Sequence, residues 1–183
     1  MNESLRIFIP SELFAPAESS HFEGELALAS MQAGPDEYAF PEPLAWRADI
    51  ANTGDALLVT GTVTGEAVGS CARCLDEFRM SLAGWIEGYF LLDETKSAPE
   101  DMDDDEFDVL PDDHVIDLEP LVKAALLLEF PLVPLCDEDC KGLCASCGAN
   151  LNEGPCECAP DDEGDQAPPN PFSVLKDFPF DGN

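Results

Sequence analysis

Positive charge is scarce in this sequence. Its 183 residues include 8 Lys and Arg against 39 Asp and Glu, which gives a formal net charge of −31 at pH 7. Bare nucleic acid and anionic membranes repel such a surface, so simple electrostatic binding to either is disfavoured. The imbalance suits a basic partner, while an acidity that only serves solubility or salt tolerance remains the alternative explanation.

The sequence also lacks long apolar runs. No segment approaches the ~20 apolar residues that span a bilayer. The first residues, MNESLRIFIPSELF, show no basic stretch leading into an apolar one, as a signal peptide would. We therefore expect a cytoplasmic protein without a membrane partner, in a compartment where thiols stay reduced and disulfides are disfavoured.

Catalytic side chains are few as well. The only histidines are His21 and His114, and neither belongs to a recognisable nucleophile or metal motif. Carboxylates are too abundant for any pair to stand out as a general acid and base. We expect the protein not to be an enzyme. A nuclease or a redox enzyme is the alternative, and the sequence shows no recognisable catalytic residues for either.

Residues 1–92 carry the pattern of an antiparallel β-sheet. Apolar residues alternate with polar ones, as in half-buried strands. Glycines at 61, 65 and 69 suggest bulges or bends that curl the sheet. The alternating apolar positions lie in four runs: Phe22 to Leu28, Leu44 to Ile50, Leu57 to Val63, and Phe78 to Phe90.

One helix follows within residues 114–135. Apolar residues recur at helical spacing from Leu118 to Leu126, Asp117 can cap the start, and Pro131 ends the helix. We expect its apolar stripe to pack on the sheet and the chain to continue extended toward the cysteines. The predicted fold class is therefore α+β, a curled antiparallel sheet packed by one helix, with a cysteine-rich zinc-knuckle module at 136–158.

Two acidic segments separate these parts. Residues 93–113 hold 11 acidic residues and one lysine, typical of a solvated, mobile loop; the alternative is a mimic of a phosphate backbone. Residues 159–183 read as an acidic linker followed by a tail, PNPFSVLKDFPF, whose apolar residues can dock on the body.

The cysteines are the strongest chemical signal. They form four close pairs, the usual way in which a chain supplies thiolates to tetrahedral zinc. Our preferred grouping places the last two pairs in one site and joins the first two pairs in another, while a single zinc with spare thiols stays open. The pairs are Cys71 and Cys74, Cys136 and Cys140, Cys144 and Cys147, and Cys156 and Cys158.

Other uses of these cysteines are less well supported. A thioredoxin-like redox motif needs a βαβ pattern that is not visible, and the spacings do not match those of ferredoxin iron–sulfur sites. Residues 142–175 contain no Lys or Arg, which argues against a nucleic-acid-binding finger. The cations nearest a cysteine pair, Arg73, Arg79 and Lys141, can contact RNA but more plausibly neutralise thiolates.

Four ordered motifs resemble the YceD-like family of large ribosomal RNA subunit accumulation proteins. They are CARC after a strand, LLLEFPLVPLC, CDEDCKGLCASCGANLNEGPCEC and PNPFSVLKDF, spanning Cys71 to Phe178. Ala145 stands where the family usually has proline, which does not disturb a sulfur ligand. The resemblance implies a bacterial or plastid protein needed for accumulation of large-subunit rRNA, whose gene in bacteria commonly neighbours that of a large-subunit ribosomal protein.

Charge and resemblance together suggest a mechanism. We expect a non-enzymatic factor that binds or chaperones a basic large-subunit ribosomal protein or a pre-ribosomal particle. Its expected contact surfaces are the acidic segment 93–113 and the outer face of the sheet. The alternative is a zinc-stabilised protein that protects precursor rRNA directly through Arg47, Arg73 and Arg79, with binding that weakens steeply in salt.

Overall fold

The computed structural model describes residues 5–100, 102–103 and 105–158. The predicted linker and docking tail at 159–183 lie outside these residues. Within them the chain forms nine strands, one 3-10 turn at Ser11–Phe14 and one α-helix, α1, at Glu119–Glu129. The strands are β1 Arg6–Phe8, β2 Ser19–Leu26, β3 Ser30–Ala33, β4 Asp36–Ala39, β5 Leu44–Asn52, β6 Ala56–Ser70, β7 Glu77–Leu91, β8 Asp108–Val109 and β9 Val115–Asp117.

Strand β6 is the centre of the main sheet. One edge of β6 pairs with β5 and, further along, with β4, while the other edge pairs with β7 along its whole length. Strand β2 lies outside β5, β3 outside β4, and β8 outside β7. All these pairings are antiparallel except that of β7 with β8, and a separate two-stranded antiparallel ladder joins β1 to β9. No helix among the described residues is long and apolar enough to cross a membrane.

The four predicted runs of alternation fall on β2, β5, β6 and β7, except that Leu28 lies beyond the end of β2, and their apolar side chains face the core. In β5 the residues Leu44, Trp46, Ala48 and Ile50 are buried, and the residues between them face outward. The fold class predicted from the sequence, an antiparallel sheet with one helix and a cysteine-rich end, is confirmed.

The sequence predicts bulges or bends at the β6 glycines, and the register of β6 with β7 excludes the bulges. The register between β6 and β7 runs without interruption from Ala56 opposite Leu91 to Ser70 opposite Glu77. The glycines instead allow close approach. A Cβ at Gly61 would collide with the carbonyl oxygen of Arg47 on β5, so no side chain fits there.

Helix α1 packs on β7, as its apolar stripe predicts. Val122, Ala125 and Leu126 are buried against the sheet. A Cβ at Gly84 of β7 would lie 2.7 Å from the carbonyl oxygen of Ala125, so the absence of a side chain lets the helix backbone approach the strand. The cap differs from the prediction by one residue: Leu118 is the N-cap, although the carboxylate of Asp117 accepts the N–H of Glu119 at 2.9 Å.

The end of the acidic segment 93–113 is held against the sheet. Its residues Asp108–Val109 form β8, parallel to the end of β7. The N–H of the buried Leu110 donates to the carbonyl of Leu91 at 2.8 Å. The chain segment between β7 and β8 therefore has both of its ends tied to the sheet.

Candidate metal centres

The first cysteine pair lies where the sequence predicts it, in the connection of a hairpin. Cys71 and Cys74 fall between the end of β6 at Ser70 and the start of β7 at Glu77. The connection closes on itself because Cys71 N–H donates to the carbonyl of Asp76 and Leu75 N–H donates to that of Cys71, both at 2.9 Å. Both sulfurs are thereby directed to one side of the hairpin end, and both cysteines are buried.

The chain that leaves α1 returns to this hairpin and supplies the second pair. Ala72 N–H donates to the carbonyl of Pro134 at 2.8 Å. The guanidinium of Arg73 donates to the carbonyls of Glu138 and Cys140 at 3.2 and 2.9 Å. These contacts hold the loop of Cys136 and Cys140 against the CxxC connection, although more than 60 residues separate the two along the chain.

The resulting quartet has the size of a tetrahedral metal site. The Sγ atoms of Cys71 and Cys140 lie 3.7 Å apart, and those of Cys74 and Cys136 lie 3.6 Å apart. A Zn–S bond of ~2.3 Å in a regular tetrahedron corresponds to a sulfur–sulfur distance of ~3.8 Å. All four sulfurs lie within 4.8 Å of one another, so this group could hold a metal ion.

The other four cysteines form a second quartet nearer the surface. Cys144 N–H donates to the carbonyl of Ala149, and Gly148 N–H donates to that of Cys144, both at 2.8 Å. This tight turn requires a positive φ, and Gly148 has a φ of 73°. It brings Cys144 and Cys147 together with Cys156 and Cys158, again with all sulfurs within 4.8 Å of one another.

Within each quartet the pKa of one thiol is lowered and the pKa of two others is raised. Burial raises the pKa of the Cys71 thiol, but N–H groups of Cys136, Cys74 and Arg73 outweigh burial and lower that pKa to about 6. At Cys144 the N–H groups of Cys147 and Ser146 lower the pKa, also to about 6. Since the thiolate is the form that ligates metals, each quartet offers a ready ligand near neutral pH.

Asn152 connects the two quartets. Its Nδ2 donates to the sulfur of Cys140 at 3.3 Å, and its Oδ1 accepts the N–H of Lys141 at 2.8 Å. Asn152 itself lies between Cys147 and Cys156, inside the loop that the second quartet closes. Asn150, in the same loop, donates from Nδ2 to the Asp76 carboxylate in the hairpin connection at 2.6 Å.

The structure brings the eight predicted cysteines together in the preferred grouping. The roles of the nearby cations differ from one another. Arg73 lies at the first quartet, whereas Arg79 points to the outer face of β7 and pairs with Glu66 at 3.4 Å. Sequence reasoning missed Asn150 and Asn152. Asparagines in a loop between ligands are typical of side chains that bond to nearby backbone, but nothing in their spacing indicates the sulfur of Cys140.

An antiparallel sheet with a helix on one side and two four-cysteine groups at one end defines the class of this protein: an α+β protein that could hold two metal ions. Residues 59–179 match the family described as large ribosomal RNA subunit accumulation protein YceD. The chain belongs to this family, as the resemblance in the sequence predicted.

Curated relatives fall into two groups. An uncharacterized protein of Mycobacterium tuberculosis is 36% identical over 106 residues, covering 58% of this chain and 50% of that protein. A counterpart in Mycobacterium leprae is 32% identical, covering 56% and 46%. The Arabidopsis thaliana protein named large ribosomal RNA subunit accumulation protein YCED homolog 1, chloroplastic, is 40% identical over 48 residues, covering 26% of this chain and 15% of that protein.

The chain spans about half the length of the mycobacterial relatives that it matches. No solved structure is significantly similar to it.

Proposed function

We propose that this protein is a non-enzymatic ribosome-biogenesis factor that supports accumulation of large-subunit rRNA by binding a basic large-subunit ribosomal protein, alone or within a pre-ribosomal particle. The observation that carries the proposal is the charge: −31 on 183 residues. Such a surface attracts the Lys- and Arg-rich proteins that bind rRNA and is repelled by rRNA itself. Loss of rRNA would then follow indirectly, when assembly of its protein partner stalls.

We propose zinc as the metal of both quartets. Four thiolates at tetrahedral spacing are a donor set that zinc prefers, and oxygen-seeking cations such as magnesium and calcium do not. Bound zinc would supply structural cross-links, and its four sulfurs would leave no open position for a water or a substrate. In this proposal the metal fixes the cysteine-rich end against the hairpin and takes no part in a reaction.

The surroundings of the histidines support a non-enzymatic role. His21 lies on the exposed face of β2, where Nδ1 is 2.8 Å from the carboxylate of Asp49. His114 packs its ring on Phe14, with centroids 4.8 Å apart, and has a positive φ of 54° at the start of the β9 segment. In the part of the chain that the structure describes, neither ring is hydrogen-bonded to a serine, threonine or cysteine side chain.

Direct protection of rRNA is less well supported, because the arginines that it requires already have partners. Arg47 donates from Nε to Thr62 at 2.9 Å, and Arg79 pairs with Glu66. Arg73 donates to two backbone carbonyls beside the first quartet. A guanidinium has five N–H donors, so each arginine could still reach a phosphate, but only in competition with the protein acceptor that now orients it.

A capture experiment tests the proposal. Tagged full chain, purified without oxygen and loaded with zinc, is incubated with a ribosome-containing bacterial extract at moderate salt, and an unrelated protein of similar net charge serves as the control bait. We expect enrichment of one or a few basic large-subunit proteins over the control. Equal recovery of all basic proteins by both baits, or binding to protein-free rRNA instead, overturns the proposal.

Native mass spectrometry of the same preparation tests the metal. Two zinc ions per chain are expected. A chelator that removes them should lower the measured mass of the chain in two steps, by one zinc ion at each step. A preparation that carries iron, or no metal after anaerobic purification, contradicts the zinc assignment.

A further inference from the structure

Large apolar side chains are unusually exposed where α1 runs into the cysteine-rich end. Leu128, Leu132 and Val133 are 85%, 101% and 61% exposed. Leu75, in the hairpin connection, is 67% exposed. Single exposed apolar residues need no explanation, but several at one end of a molecule indicate a binding surface.

The first quartet brings together the loops that carry Leu75 and the pair Leu132 and Val133, and Leu128 lies four residues before Leu132, at the end of α1. Leu75 directly follows Cys74, and Leu132 and Val133 directly precede the segment from Pro134 to Cys136. The bond from Ala72 N–H to the carbonyl of Pro134, 2.8 Å long, holds the two loops side by side. We call Leu75, Leu128, Leu132 and Val133 the leucine patch.

Carboxylates surround the leucine patch. Residues 127–140 contain four exposed acidic residues and no Lys or Arg. The hairpin connection adds exposed Asp76 and Glu77, while its Arg73 directs the guanidinium to the carbonyls of Glu138 and Cys140. A ligand that buries the leucines therefore meets negative charge around them. The four acidic residues are Glu129, Asp137, Glu138 and Asp139.

We propose that the leucine patch is the docking surface for a cationic amphipathic segment of the basic protein partner. This inference rests on the proposed function and adds where the partner binds and what it must present: an apolar stripe flanked by Lys or Arg. Burying the leucines supplies affinity, and the surrounding carboxylates select the basic segment and speed its association.

Charge argues against the other possible occupants. A second copy of this chain carries the same net charge of −31 and would be repelled. In the chain's own residues 159–183 the apolar stretch 169–180 carries one lysine and one aspartate, and the other acidic residues lie outside that stretch. A second copy would set carboxylates against carboxylates and the tail brings no net positive charge, whereas a cationic segment pairs with them.

A peptide-binding measurement on the full-length, zinc-loaded chain tests the proposal. The probe is a synthetic helical peptide of Lys and Leu with all leucines on one face, and a Lys and Ser peptide of equal charge is its control. Replacing Leu128→Ser and Leu132→Ser together should weaken binding of the Lys–Leu peptide by at least about tenfold, the effect of losing an interface anchor. Both side chains are exposed, so the fold should tolerate the change.

Matched variants decide between the explanations. Phe8→Ser removes an exposed apolar side chain from the separate ladder of β1 and β9 and should leave binding unchanged. Equal weakening by the control and the patch variant, or none by the patch variant, overturns the proposal. If Phe172→Ser with Leu175→Ser strengthens peptide binding about tenfold, the chain's own tail occupies the patch and the proposal is likewise overturned.

Failure of this inference can be told from failure of the proposed function. If the wild-type chain captures basic ribosomal proteins and the patch variant captures them equally, the function stands and the docking surface is wrong. If the wild type captures none, the proposed function is wrong. The peptide measurement then shows independently whether the leucine patch binds a cationic amphipathic segment.

Discussion

Replacing Asn152 should loosen the metal of the first quartet, although Asn152 belongs to the loop of the second. Its Nδ2 donates to the sulfur of Cys140, and its Oδ1 accepts the N–H of Lys141. Asn152→Ala removes both bonds. Asn152→Asp keeps an oxygen that can accept the N–H of Lys141. It replaces the N–H group that donates to the Cys140 sulfur with a carboxylate oxygen.

The size of the effect follows from the kind of bond lost. A hydrogen bond to a charged group contributes roughly 1.5–3 kcal/mol when it is well buried. Cys140 is only 4% exposed, but the Asn152 side chain is partly solvated, so the lower end applies. About 1.4 kcal/mol corresponds to a tenfold loss of metal affinity, in the range usual for residues that orient metal ligands. Asn152→Asp should cost more than Asn152→Ala because it adds repulsion.

Chelator competition followed by native mass spectrometry measures this effect for zinc. The wild type and the control Glu153→Ala, which changes the adjacent residue, should release metal from the first quartet at the same chelator concentration. Asn152→Ala should release it at about tenfold less. Cys144→Ser with Cys147→Ser, which opens the second quartet, should have the same effect on the first. Retention of the first zinc by Asn152→Asp at wild-type affinity would refute the coupling.

Three further predictions concern the sheet. Gly84→Ala should destabilise the fold by about 1–3 kcal/mol in urea unfolding, because the new Cβ would lie 2.7 Å from the carbonyl oxygen of Ala125 on the helix; an unchanged midpoint would contradict this packing. Tyr38→Phe should leave the melting temperature unchanged or raise it, because the buried hydroxyl has no hydrogen-bond partner among the described residues. The Asp49 carboxylate raises the pKa of His21 above 6.5, so this pairing stabilises the fold below pH 6.5 and the stabilisation is lost as pH rises through the raised pKa. Asp49→Asn should lower the His21 pKa in an NMR titration, and no change would contradict the assigned bond.

The strands and the helix could be predicted because their signals are local. The alternation in β5 and β7 results from the burial of one face of each strand. The apolar stripe from Leu118 to Leu126 results from the packing of one side of the helix on the sheet. The short strands could not be predicted, because two to four residues are too few to show a period. They are β1, β3, β4, β8 and β9. The β6 glycines misled for a similar reason: a glycine in a strand indicates either a bulge or a close neighbour, and only the register distinguishes them.

The cysteine grouping could be predicted because a tetrahedral metal site takes four thiolates, and chains usually supply them as two close pairs. The contacts between the two quartets could not be predicted. The bond from Asn152 to Cys140 depends on how two loops fold over each other. The leucine patch depends on exposure, and a run such as LLLEFPLVPL reads from sequence as core until Leu128 and Leu132 are found outside it.

The two ends of this protein differ in what holds them together. The sheet and helix share one large apolar core, whereas the cysteine-rich end has a separate cluster in which, among the described residues, Cys71, Cys74 and Cys140 are buried and Phe78, Leu135 and Leu143 pack against them. So few apolar side chains bury too little surface to offset the entropy of ordering the loops. Metal binding would therefore supply most of the free energy that folds this end. Because the same loops carry the leucine patch, metal content and partner binding would rise and fall together while the sheet stays folded.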